Sequence, residues 1–193
     1  MKKLTRSDLW SLEQYAEKRP EFRAKMMPHK RDRRIALGEN AYLYFEDEHT
    51  VRYQIQEMLR IEKVFEAEGI DDELEAYNPL IPDGCNWKAT FMLEFVDAEE
   101  RKVQLTKMIG IERAVWVKAE GCDPVFAIAD EDLERETEEK TSSVHFLRFE
   151  LSADMIKSLK QGATLSMGID HKAYVQQSEI NDPYRASLMN DLD

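Results

Sequence analysis

Glycine is scarce, seven in 193 residues, and cysteine scarcer still, with Cys85 and Cys122 alone. The sequence holds no phosphate-cradling glycine loop, no dinucleotide fingerprint, no His-Glu-x-x-His and no Cys-x-x-Cys pair. The common cofactor folds lose their signatures with them. Two thiols cannot by themselves build a disulfide framework, a Cys-only zinc site or a cubane cluster. Both sit in turns beside an aspartate, without the cationic surroundings that lower a thiol pKa, and read as incidental. Long apolar runs are missing too. No stretch approaches the roughly 18 apolar residues that span a bilayer, and the opening Met1 to Trp10 lacks the apolar run of a signal peptide. A cytoplasmic chain without a membrane span is the expectation.

What is present in quantity is charge. Charged residues make up 34% and apolar residues 42%, the balance of a globular chain with a charged surface, and the length suits a single domain over residues 1–193. The net charge of −12 argues against nucleic acid as a partner, because phosphate neutralisation needs an excess of Lys and Arg. That average hides a segregation. Residues 18–34 carry eight Lys and Arg against two acids, a net +6, which leaves −18 for the rest of the chain. Acid concentrates in Glu66 to Glu75, six carboxylates without a base, and in Asp130 to Glu139, seven against Arg135 alone. Such polarity either folds back on itself or meets a partner. The candidate surface for an acidic partner or a small anion is Arg23, Lys30, Arg31, Arg33 and Arg34.

Periodicity predicts an α+β fold. Thr5 followed by Asp8 predicts a helix start, Pro20 opens a second short helix and Pro28 stops it, so residues 1–34 form a helical, basic segment ending in a loop. Ala41 to Glu46 alternates as a strand, and a long helix follows from about Thr50 to Ala67. From Trp87 to Phe95 the alternation is the clearest in the chain. Two strand–helix–strand units follow, over 87–119 and 143–169, with similar joints: Phe91, Val96, Asp97 and Ala98 stand at the same offsets as Phe146, Leu151, Ser152 and Ala153. A weak internal repeat is compatible with a mixed, ferredoxin-like sheet with the N-terminal helices packed around it. The acidic stretch 130–140 is expected as a helix and residues 175–193 as a loose tail.

Three constellations carry candidate chemistry. On the long helix, advancing about 100° per residue puts Glu62 within a stripe of Ile55, Met58, Leu59 and Phe65, with Gln54 at its edge. A buried carboxylate needs a counter-charge or a metal. The strand Ser143 to Leu151 sets His145 on one face, and Arg148 and Glu150 on the other. Arg148 is the natural partner for Glu62, while His145 most simply reads as a hydrogen-bonded core histidine. Together Gln54, Glu57, Glu62, His145, Arg148 and Glu150 form an expected buried polar cluster. Asp170 and His171, past the last predicted strand, extend Glu62 and His145 into a candidate divalent-metal ligand set, with an ordinary exposed turn as the simpler reading.

The segments Arg19-Pro-Glu-Phe-Arg23, Tyr44-Phe-Glu46, Gln56 to Glu62, Asn78-Pro-Leu-Ile-Pro-Asp-Gly84, Trp87-Lys-Ala-Thr90 and Lys140 to Leu151 resemble a bacterial family known as domain of unknown function 3501. The resemblance covers nearly the whole chain and implies no catalytic residues. It implies a redox or iron setting, since members are encoded beside a rubrerythrin-like protein and an iron–sulfur protein of the heterodisulfide-reductase type. The expectation is therefore an accessory, partner-binding protein of an iron-linked oxidoreductase system, with a metal-binding protein or metal-dependent enzyme as the alternative.

Overall fold

The computed structural model describes residues 2–193 apart from Leu133, Glu134, Glu136 and Glu138. Those residues form an α+β structure of six α-helices and two antiparallel sheets. Helix α1 (Leu12–Arg31) starts at Ser11, whose hydroxyl accepts from Gln14 N while the Gln14 side chain accepts from Ser11 N. Thr5, the expected start, does bind Asp8, but the pair closes only a single 3-10 turn, Arg6–Asp8. Pro20 and Pro28 lie inside α1 rather than dividing it. Each removes a backbone donor and costs ~3 kcal/mol in an isolated helix interior. Packing offsets that cost, since Tyr15 and Met26 on one face of α1 are buried. The basic run is correspondingly not a loop: Lys30 and Arg31 end α1, and Arg34 opens strand β1 (Arg34–Ala36).

Strand β1 turns at Gly38 into β2 (Ala41–Phe45). Gly38 has φ +84°, and a Cβ there would stand 2.6 Å from the Tyr174 hydroxyl, so both backbone and space require glycine. Helix α2 (Glu48–Glu62) is capped by Asp47, which accepts from Thr50 N at 2.8 Å, and it ends where Lys63 turns left-handed. Helix α3 (Ala67–Tyr77) and a 3-10 turn over Asn78–Leu80 lead to β3 (Asn86–Leu93). The described residues of the acidic stretch 130–140 are irregular, not helical, and the other four lie outside the described residues.

Both expected strand–helix–strand units are present. They are β3, α4 (Ala98–Lys107) and β4 (Val115–Ala119), then β7 (Val144–Glu150), α5 (Ala153–Lys160) and β8 (Leu165–His171). Asp97 and Ser152 cap the two helices at matching positions, each accepting a backbone N–H three residues on. In place of one mixed sheet, each unit passes from one sheet to the other. With β5 (Val125–Phe126), β6 (Ile128–Ala129) and β9 (Tyr174–Ile180), the orders are β1-β2-β3-β7-β6 and β5-β4-β8-β9. The halves β2-β3-α4-β4-β5 and β6-β7-α5-β8-β9 thus occupy equivalent places, with β3 against β7 at one centre and β4 against β8 at the other. The weak repeat read at the joints is a repeat of topology.

The main core lies between the sheets. Trp87, Phe91 and Phe149 from one and Val117, Leu165 and Met167 from the other are fully buried, and such large side chains contribute roughly 2–3 kcal/mol each. A second cluster, Val51, Ile55, Leu59, Leu74 and Ile81 with Leu4, lies under α2 and α3. The expected loose tail is structured: β9 pairs with β8 along its length, and α6 (Tyr184–Met189) brings Leu188 and Leu192 into the core. Its polar sequence reflects an edge strand with most of its side chains in water.

Asp191 completes this closure on Arg33, which is 2% exposed and therefore not part of a docking surface. Arg33 donates to Asp191 through two nitrogens, at 2.5 and 3.2 Å, and to the carbonyls of Phe45 and Glu46. It also stands 3.4 Å from Asp47, whose other partner is His29 at 2.6 Å. One guanidinium thus serves two buried carboxylates. Burial raises the Asp47 carboxyl, but the His29 bond, the Arg33 charge and the Thr50 N–H outweigh it and hold the group at about 2. At Asp191 burial wins over Arg33, Asp47 adds to the rise, and the carboxyl stands at about 6. A folded pKa above the unfolded 3.8 means that stability falls as pH rises through this interval and is level above about 6. Asp191→Asn, which removes the buried charge and keeps an acceptor for Arg33, is expected to flatten that slope and to cost little at pH 7. Asp191→Ala, which strips Arg33 of this partner, is expected to cost about 3 kcal/mol or more. Denaturant titrations at pH 4, 5, 6 and 7 read both effects, and a tail that contributes nothing predicts unchanged midpoints throughout.

Candidate functional site

The expected buried polar cluster is dispersed. Glu62 is exposed at the last turn of α2, and Gln54 and Glu57 are only partly buried. The helix leaves the core after Leu59: Ile61 is 62% exposed and Phe65 73%, so the apolar stripe that enclosed Glu62 in projection has nothing to pack against there. Arg148 pairs instead with Glu131, at 2.8 Å from both Nε and Nη2, and with Glu150 on its own strand. His145 is a core histidine. Its Nδ1 faces Asp130 at 2.6 Å, its Nε2 faces Thr141 Oγ1 at 2.9 Å, and Glu112 lies 3.9 Å away. Asp130 holds a left-handed φ of 51° at the exit of β6, anchored by this histidine, the Phe146 N–H and Arg135.

The candidate metal ligands do not converge. Glu62 and Asp170 are exposed, His145 is enclosed as described, and His171 binds the Ile109 carbonyl at 3.1 Å. Among the described residues no three His, Cys, Asp or Glu side chains form a group that could hold a metal ion. Glu57, the one acid of α2 with a strong partner, faces α1. It accepts from the Tyr15 hydroxyl at 2.6 Å and from Arg19 at 2.6 and 2.9 Å.

Among the described residues two surfaces stand out by their geometry. The first follows the seam of α1 and α2, where Trp10, Phe22 and Tyr53 form a ladder of ring contacts with centroids 5.1 and 5.7 Å apart. Cations stand along it: Lys18 and Arg52 over Trp10 at 5.8 and 4.4 Å, and Lys30 over Tyr53 at 5.7 Å, with Arg23 donating to the Tyr53 hydroxyl. Lys18, Arg23, Lys25 and Arg31 are exposed, and among the described residues the ion pairs of this helix run to Glu21, Asp32, Asp47 and Glu57. Arg33 is buried, as above, and Arg34 is committed to Tyr44 at 2.7 Å and to Glu94, stacked on Tyr42. The basic surface is therefore narrower than residues 18–34.

The second is a cleft of about 860 Å³ on the outer face of the first sheet. Strands β3 and β7 make its floor, with Lys88 directly opposite Arg148 and Thr90 opposite Phe146. Its wall is the turn from Tyr77 to Pro82, fixed by Asn78, which exchanges two hydrogen bonds with the backbone of Leu4. Lys88 reaches across to the Pro79 carbonyl at 2.6 Å. Burial and the facing Arg148 lower its pKa, against Asp83 and Glu131, which favour the cation. Strand alternation places Lys88 on this face, but the wall comes from a segment whose packing no periodicity encodes.

An α+β protein with two antiparallel sheets, a duplicated βα joint and an open cleft is the class that this geometry defines. The sequence matches the family model described as protein of unknown function, DUF3501, over residues 3–192, and the chain belongs to that family. It is similar to the crystal structure of a novel protein of unknown function from Burkholderia pseudomallei K96243. The identity is 50%, all of both chains is covered and the TM-score is 0.93. No curated protein matches.

Glu57 is held at about 2, chiefly by the Arg19 bond, with burial opposing and the Tyr15 bond assisting. Its folded pKa lies below the unfolded 4.5, so this pairing stabilises above pH 4.5 and is lost as pH falls towards 2. Glu57→Gln is expected to cost about 2 kcal/mol at pH 7, allowing for solvent screening, and to weaken the acid limb of the stability curve. Glu62→Ala is expected to change stability by less than about 0.5 kcal/mol. Urea titration of the two variants side by side checks both, and equal losses would contradict the placement of these acids.

Proposed function

We propose that this chain is a non-catalytic accessory protein that docks an acidic partner protein on the cation-lined aromatic seam of α1 and α2. The observation that carries the reading is the cationic ladder itself. Four cations stand over or bond to the rings of Trp10 and Tyr53, and exposed bases flank them on a chain of net charge −12. Such a strip offers a partner charge for steering and some ring surface at the half-buried Trp10 and Phe22, while Tyr53 beneath them is itself buried. A nucleic acid suits the strip less than a localised acidic patch does, because a polyanion extends past the strip onto a chain that carries −18 elsewhere. The family resemblance supplies the first partners to test, the rubrerythrin-like and iron–sulfur proteins encoded beside its members. No helix among the described residues is long and apolar enough to cross a membrane, so the reading assigns no membrane partner.

Reversing Lys18, Arg23, Lys25 and Arg31 together to Glu is expected to weaken association with those proteins at least tenfold. Raising salt from 50 to 300 mM is expected to weaken the wild-type complex in the same direction, since exposed charge contacts are screened over roughly 8–10 Å. The reversal also removes the Arg23 bond to Tyr53 and the Lys25 and Arg31 ion pairs, so the same four positions changed to Gln, which set no like charges beside Glu21 and Asp32, are expected to show the loss of affinity with the fold kept. Titration calorimetry with each purified partner reads the effect, and an unchanged affinity in the quadruple variant overturns this docking surface.

A further inference from the structure

We infer that the cleft between the β3–β7 face and the turn from Tyr77 to Pro82 is a binding site for a small organic carboxylate with an apolar or aromatic body. Its volume of about 860 Å³ lies within the range of ordinary ligand sites. The apolar part of the lining is Tyr77, Leu80, Ile81 and Phe146 with Pro79 and Pro82. Of its six charged side chains, two cations stand together on the floor of the cleft, and they mark the place where a ligand's charged group would be held.

That place is the pair Lys88 and Arg148. Two cations directly opposite on neighbouring strands repel each other, an arrangement that costs stability unless an anion lies between or beside them. Arg148 already demonstrates the recognition: it holds the Glu131 carboxylate in a fork, with 2.8 Å at both oxygens. Glu131 and Glu150 are 53% and 49% exposed, so an incoming carboxylate can reach Arg148 from solvent and compete with them for its fork. Lys88 has one hydrogen bond among the described residues, to Pro79 O, and an ammonium has three donors, so a ligand oxygen can be added without breaking it. Lys3 adds a third cation to the lining. The acids of the lining are occupied. Asp83 caps the turn by accepting from Cys85 N and from the Asn86 side chain, Asp132 binds Arg135 at 2.5 and 2.6 Å, and Glu131 is the exchangeable group.

The inference is independent of the α1 surface and goes beyond the docking reading. Its probe is 1-naphthoate, compared with 1-naphthalenemethanol, which keeps the ring and lacks the charge, and with 1-naphthyl phosphate, which offers a different anion. Calorimetry with the full chain is expected to show saturable naphthoate binding. The alcohol is expected to bind at least tenfold more weakly, and the phosphate no more tightly than the carboxylate. Lys88→Met, which keeps the aliphatic stem, is expected to weaken naphthoate at least tenfold, Lys88→Arg to restore most of the affinity, and the α1 quadruple reversal to leave it unchanged. Should Lys88→Met fail to fold, Arg148→Gln on the same face takes its place, with the same loss expected. No binding of naphthoate at millimolar concentration, equal affinity for acid and alcohol, or full affinity in Lys88→Met overturns the site. A preference for the phosphate overturns the ligand class.

Discussion

The buried guanidinium of Arg33 is the constraint on which the arrangement of the chain ends depends. A charge enclosed this fully cannot be left with unmet donors, since its desolvation costs several kcal/mol. Its partners come from the end of β2, the cap of α2 and the last three residues of the chain. Satisfying one side chain therefore draws the end of α1, the first hairpin and the C-terminal helix to a single point. The same contact sets the start of α2 through Asp47, which both caps that helix and neighbours Arg33. From there the chain passes through α2 and α3 to the Tyr77 to Pro82 turn, which walls the cleft on the outer face of the first sheet.

Duplication explains the core and leaves the surface unexplained. The two βα joints are equivalent in topology, in the capping of their helices and in the central pairs that they contribute. The outer face of the first sheet is half-covered, so that Lys88, Thr90, Met92 and Phe146 are all partly buried. The second sheet has no matching cover: Lys118, Asp170, Val175 and Gln177 face solvent, and Gly168 leaves room for the Trp116 ring, which a Cβ would meet at 2.4 Å. The cleft on the first sheet thus owes its wall to the end of α3 and the turn after it, and the repeat of topology does not provide it.

Those segments mark where the sequence ceases to be legible. The strand from Asn86 to Leu93 is readable because one face meets a sheet-to-sheet core, and its alternation of buried and half-buried residues follows the apolar pattern. His145 reads correctly as a hydrogen-bonded core residue for the same reason. Glu62 does not, because a helical projection gives the direction of a side chain and says nothing of whether protein lies in that direction. Beyond Leu59 none does, and Ile61 and Phe65 are exposed beside it. Pro20 and Pro28 mislead in the opposite sense: each is a real local penalty, overridden by the burial of Tyr15 and Met26 on a neighbouring face. Arg33 is the limiting case. Its basic neighbours suggest a solvated run, and its decisive partner is Asp191, 158 residues away.

The cations of the two binding surfaces differ in environment, and that difference decides how each can act. Lys18, Arg23, Lys25 and Arg31 stand in water, where their attraction for a partner is long-ranged, weak per contact and screened by salt. They favour encounter. Lys88 stands in a cleft where burial and a facing arginine disfavour its charge while Asp83 and Glu131 favour it, and an anion beside it would add to that support. It favours retention of a small, largely desolvated ligand, and salt can screen that contact far less.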